Sequence, residues 1–168
     1  MSLLKELQDS IYNNNPEFVY EQILDVYLPN GMTPLMYACE LGRLNLVEIF
    51  MRKGARPEVY RKNQESCIEI AIRRNDLEIA MYILENCKSV ASLFNDEFGT
   101  PYHIACACEE NRHDFLKAFD KKFFKVMNVN TPSKKYKQTP FMVASVANSS
   151  YLIENCNIDL SLKDYHDS

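Results

Sequence analysis

The sequence predicts an all-α fold of stacked helix-turn-helix units joined by short hairpin loops. Three observations lead to it. A six-residue block recurs in phase along most of the chain. The block opens in the way a helix opens. After it comes an apolar stripe with the spacing of a second helix.

The block is Thr33-Pro34-Leu35-Met36-Tyr37-Ala38. It returns 33 residues on as Ser66-Cys67-Ile68-Glu69-Ile70-Ala71, 34 further on as Thr100-Pro101-Tyr102-His103-Ile104-Ala105, and 39 further on as Thr139-Pro140-Phe141-Met142-Val143-Ala144. Each copy has a small hydroxyl residue first, a large apolar residue third and alanine sixth. The downstream halves agree too: Tyr82-Ile83-Leu84-Glu85-Asn86-Cys87 recurs almost unchanged as Tyr151-Leu152-Ile153-Glu154-Asn155-Cys156, and Gly54 falls where Cys87 does.

Residues 1–27 lack the block but are helical in spacing. Leu3, Leu7 and Ile11 recur every four residues, Asn15-Pro16 reads as a cap and first helical residue, and Phe18, Val19, Ile23 and Leu24 form a second stripe. Glu6, Asp9, Glu17, Glu21 and Asp25 stand against Lys5, as expected of a capping pair with a solvated outer side. Within the first unit, Thr33 can cap a helix and Pro34 suits its first position, where the missing N–H has no helical partner. Leu35, Ala38 and Cys39 share one face. Ala38, Ala71, Ala105 and Ala144 are small enough for helices to approach closely. Gly42 can take the left-handed conformation that ends a helix, and Asn75 is the next best residue at the equivalent place. A second helix is expected from about Asn45 to Arg52, burying Leu46, Val47, Phe50 and Met51. One such pair cannot bury both its apolar faces, so the unit must repeat.

The third unit carries about two extra residues between its helices, near Cys108–His113, and about four more between Asp120 and Gln138, where insertions in repeat arrays form loops. The second insertion is basic: Lys121-Lys122-Phe123-Phe124-Lys125, then Lys134-Lys135-Tyr136-Lys137. It is either a solvated loop or a partner-contact loop. The fourth unit loses about four residues between Ala144 and Cys156, so its helices should be shorter. Asp159 to Asp164 then reads as the lead-in to a further unit, which suggests a piece of a longer array.

These residues resemble the ankyrin repeat, whose signature is T-P-L-H-x-A in a unit of about 33 residues. The resemblance covers residues 28–164 and implies an α-solenoid: a capping pair over 1–27, repeats over 28–60, 61–94, 95–131 (with the insertions) and 132–164 (shortened), and the start of another at 165–168. It also implies a function. In this family the hairpin tips and first helices form a concave surface that holds protein partners. Matched by position, the tips here are Asn30 and Met32, Asn63 and Glu65, Glu97 and Phe98, and Tyr136 and Gln138. The first-helix positions are Glu40 and Leu41, Arg73 and Arg74, and Ala107 and Cys108. Met32, Leu41, Phe98 and Tyr136 would be the apolar or aromatic anchors.

Other chemistries find little support in the sequence. The formal net charge of −4 argues against nucleic acid, which needs a basic footprint. The apolar runs fall far short of the ~20 residues of a membrane span, and no secretory signal is visible. The six cysteines are therefore expected as free thiols in a reducing, cytoplasmic compartment. His103-x-x-Cys106-x-Cys108, with His113 nearby, is the nearest approach to a metal cluster, but His103 fills the signature position and Cys106 the buried position of Cys39. His103, His113 and His166 suggest no catalytic triad, and the glycines form no phosphate loop. Basic residues gather between Arg43 and Arg74, among them Arg61 and Lys62, with Arg73 and Arg74 on the groove side. We therefore expect a monomeric, non-catalytic protein-interaction module without metal or cofactor. The alternative is an N-terminal spacer or intramolecular dock of a longer multidomain or channel protein.

Overall fold

Helix starts are set by the hydroxyl and proline residues of the blocks. In the computed structural model, which describes residues 2–18, 23–60, 65–95 and 99–164, Thr33 Oγ1 accepts the Met36 amide at 3.3 Å and Pro34 takes the first helical position. The helices among the described residues are α1 Leu3–Tyr12, α2 Pro34–Glu40, α3 Leu44–Arg52, α4 Cys67–Arg73, α5 Leu77–Asn86, α6 Pro101–Ala107, α7 His113–Phe123 and α8 Val146–Asn155. Short 3-10 turns span Pro16–Phe18 and Val90–Leu93. Isolated bridges close two hairpins, Tyr60 to Ser66 and Asn95 to Gly99. The fold is all-α, and the chain divides into two compact units, Met1–Lys88 and Ser89–Ser168.

In the first unit the helix pairs stack: α2 packs on α3 and on α4, α3 on α5, α4 on α5, and α1 on α2. Leu35, Leu46, Val47 and Phe50 are buried together with Ile68, Ile70 and Ile83, and Ala38 and Ala71 are fully covered. Truncating Leu35 to alanine should cost about 2–5 kcal/mol. Gly42 and Asn75 both adopt the left-handed conformation, at φ +65° and +60°, where their helices end. Asp76 then caps α5, accepting the Ile79 amide at 3.0 Å. At the amino end Leu7 and Ile11 are buried, but Leu3, the first member of that stripe, is half exposed. The second capping helix begins only as the 3-10 turn at Pro16–Phe18, and Val19 and Glu21 lie outside the described residues.

In the second unit α6 packs on α7 and on α8, burying Tyr102, Ala105, Phe115, Leu116 and Phe119 with Leu152. The fourth repeat departs from the expectation of two shortened helices. Thr139–Ala144 makes only a turn, Met142 is exposed and Ala144 is not fully covered, while α8 keeps ten residues. The deletion accounts for this. Ser145 is extended at φ −67°, ψ 163°, and caps α8 at once, so the Thr-Pro block has only the residues from Pro140 to Ala144 where α2, α4 and α6 each have 7.

Candidate protein-interaction surface

The tips and helix ends of the first unit bring four of the expected residues together. Glu40 closes α2, Arg73 and Arg74 close α4, and Glu65 precedes the Ser66 block. Because α2 and α4 lie side by side, Glu40 faces both arginines, with N–O separations of 3.7 Å to Arg73 and 3.8 Å to Arg74. Arg73 also pairs with Glu65. The arginine side chains are 54% and 41% exposed, whereas that of Glu65 is 11% exposed. Pairs so open to water contribute at most about 1 kcal/mol each, so the network orients the guanidinium groups more than it stabilises the fold. Leu41 is half-buried beside Glu40. Asn30 shapes the first tip by accepting the Met32 amide at 3.1 Å, and its own amide donates to Gln8. Met32 is 8% exposed and belongs to the core, which removes it as an accessible anchor: its carbonyl accepts the Leu28 amide, and the turn folds the side chain inward. Asn63, Glu97, Phe98, Arg61, Lys62 and His166 lie outside the described residues.

The second unit holds the last pair of tip residues separately. Gln138 is fixed by its backbone: its carbonyl accepts the Ser133 amide at 2.8 Å and His103 Nε2–H at 2.9 Å. His103 Nδ1 accepts the Thr100 amide at 3.1 Å, so the imidazole is neutral with its proton on Nε2. Burial, opposed by the Gln138 contact, holds its pKa below the ordinary value. Tyr136 is half-buried with the Lys135 ammonium 4.9 Å from its ring centre. Ala107 is exposed and Cys108 half-buried at the end of α6.

Both His103 nitrogens thus serve the fold. His113 Nε2 donates to the Ala147 carbonyl at 2.8 Å. All six cysteines are free thiols. Among the described residues no three of His, Cys, Asp and Glu could hold a metal ion, and no helix is long and apolar enough to cross a membrane. A polar cluster forms around Asp120, whose Oδ2 accepts Tyr151 O–H at 3.1 Å, Tyr102 O–H at 3.2 Å and the Cys156 thiol at 3.6 Å. Burial foremost, with Asp120 adding to it, pushes the Cys156 thiol and the Tyr151 phenol up, which makes them poorer nucleophiles.

Two structural residues were not foreseen. Asn148 is fully buried on α8; its Oδ1 accepts the Arg112 amide at 2.7 Å, and its Nδ2 lies 2.8–3.3 Å from the carbonyls of Ala105, Cys106, Cys108 and Glu110. It thereby satisfies the end of α6 and the extra residues after it, the place where repeat one uses a glycine turn. Glu69 stands where His103 stands in the third block: Oε2 accepts the Ser66 amide at 3.2 Å, while Oε1 is buried without a partner. A lone acid within Cys67-Ile68-Glu69-Ile70 was the available signal for it.

The sequence profile for ankyrin repeats in three copies matches residues 7–92. No curated protein matches the chain at a significant level.

Proposed function

This chain belongs to the ankyrin-repeat family, and from that membership we propose that it is a non-catalytic module holding one protein partner on its hairpin tips and first-helix ends. Ankyrin repeats generally mediate protein–protein interaction. What carries the finer reading is the pair of exposed guanidinium groups, Arg73 and Arg74, held side by side by Glu40 and Glu65. Planar guanidinium forks suit carboxylates on a partner, and fixing them beforehand lowers the entropy lost on binding. Arginine is also a frequent interface anchor. Leu41 supplies apolar surface beside them. The six free thiols support a reducing, cytoplasmic setting.

The test compares capture of partners from native extract by the chain and by an Arg73→Gln/Arg74→Gln variant, followed by titration of the captured protein. Glutamine is preferable to glutamate here, because a carboxylate at 73 would face Glu40 and Glu65 and disturb the fold as well. The expected result is at least tenfold weaker binding, with thermal melting unchanged within a few degrees. Equal affinity for the two chains would refute this site.

A further inference from the structure

We propose that the outer face of α8 is a self-association surface, on which two copies of the chain pair through antiparallel α8 helices. The chain is then a weak two-fold dimer where its sequence suggested a monomer. Helix α8 is buried along one side only, through Asn148 and Leu152. On the opposite side Val146 is 93% and Ile153 65% exposed, with Ser150 exposed between them. With 3.6 residues per turn these three fall within an arc of about 60°, so they form one face. It is a face of the kind that packs. Helix α5 carries Leu77 and Leu84 at the equivalent positions, the latter within the almost unchanged fragment Tyr82–Cys87, and there Leu84 is 2% exposed and Leu77 half-buried.

The pattern of the face selects the partner. Val146 and Ile153 stand at equal distances on either side of Ser149-Ser150. Two such helices crossing antiparallel at the serines set Val146 of each copy against Ile153 of the other, as a self-complementary two-fold contact requires. The small serines at the crossing let the axes approach to about 8–10 Å. The Ser149 hydroxyl already donates to the Val146 carbonyl at 3.1 Å, so the contact does not strand it.

Charge sets the same direction. Glu154 is the one charged residue of α8 and lies in its last turn. Antiparallel pairing carries it to the amino end of the other copy's α8, where Ser145 forms no side-chain cap and the first-turn amides bear partial positive charge. Parallel pairing would set Glu154 against Glu154. Exposed apolar residues flank the helix at both ends, Met142 before it and Leu160 after it. One helix a side lies at the low end of interface sizes, so a dissociation constant of about 10–100 µM is expected.

The experiment is sedimentation equilibrium of the full chain over concentrations spanning that constant. Val146→Lys and Ile153→Lys change exposed residues and should each weaken association by about tenfold or more, because each residue enters the contact twice. Glu154→Lys should weaken it about fivefold at low salt. Cross-linking with diamide reads the direction. Val146→Cys mixed with Ile153→Cys should form an interchain disulfide beyond any given by the natural chain. Val146→Cys alone should not, since its two copies would lie about 10 Å apart along the helix axis. A chain that stays monomeric at every concentration, leaving the face to a different protein, would overturn the proposal. So would a dimer that survives both lysine variants, or self-linking of Val146→Cys.

Discussion

Raising the pH from about 4 to about 9 should destabilise the first unit through Glu69, and replacing Glu69 by glutamine should remove most of that dependence. Glu69 is 9% exposed in an apolar stretch of α4; Oε2 has the Ser66 amide and Oε1 has no partner. Burial raises its pKa from 4.5 to about 7, against a smaller lowering by the Ser66 hydrogen bond. Its pKa is thus higher in the folded chain than in the unfolded one, and the folded chain binds the proton more tightly. That preference is fully present below pH 4.5 and is lost as the pH rises through about 7. The corresponding free energy is about 3 kcal/mol. Urea unfolding of the natural chain and of Glu69→Gln across this range gives the comparison. The glutamine amide leaves an unpartnered Nε2 in place of Oε1, a constant cost of about 1–3 kcal/mol that does not titrate. On top of that offset, the variant should gain on the natural chain by up to about 3 kcal/mol between the two ends of the range. A difference that stays flat within about 0.5 kcal/mol would mean that the carboxylate ionises at its ordinary pKa, with water reaching Oε1, and would refute the reasoning.

Three further outcomes can be checked on the second unit. Gly99→Ala should cost about 3 kcal/mol and lower the melting temperature by about 10 °C, because φ is +90° and the new Cβ would lie 2.8 Å from the His103 ring that ties Thr100 to Gln138; an unchanged melt would refute that close approach. Asn148→Ala should cost about 3–5 kcal/mol in urea unfolding, since it strands the Arg112 amide and the carbonyls, at most two, that the two amide protons of Asn148 serve. Asn148→Asp should be no better, and a neutral result for either would show the amide to be dispensable. Asp120→Asn should speed iodoacetamide labelling of Cys156, because the carboxylate and its hydrogen bond both raise the thiol pKa; slower or equal labelling, read by mass spectrometry of the folded chain, would contradict that.

The parts of the fold legible in the sequence were those fixed by local, periodic requirements. Thr33 and Pro34 mark a helix start whatever lies around them, and Gly42 and Asn75 mark an end because few residues tolerate a positive φ. The apolar faces of α3 and α5 followed from spacing, except that Met51, expected on the buried face, is only half-buried. The reading failed where position within the array mattered. Leu3 has the right spacing but is left half exposed at the start of α1, and Thr139-Pro140 has the right residues but too short a chain before Ser145 to turn them into a helix.

The candidate site was legible only in part, and for a different reason. Matching positions along the repeats picked out Glu40, Glu65, Arg73 and Arg74, because adjacent repeats place equivalent residues side by side. Spacing cannot say whether a side chain at a tip turns inward, as Met32 does. Nor can it reveal polar contacts between residues far apart in the chain. Asn148 meets the carbonyls of residues 105–110 across about forty positions, and the His103 ring meets Gln138 across 35. Such contacts appear where a repeat departs from its regular length, since each insertion or deletion exposes backbone groups that the regular turn would have satisfied. A buried polar residue on the neighbouring element then has to satisfy them, and Asn148, facing the lengthened turn of the third repeat from the shortened fourth, shows the two irregularities compensating each other.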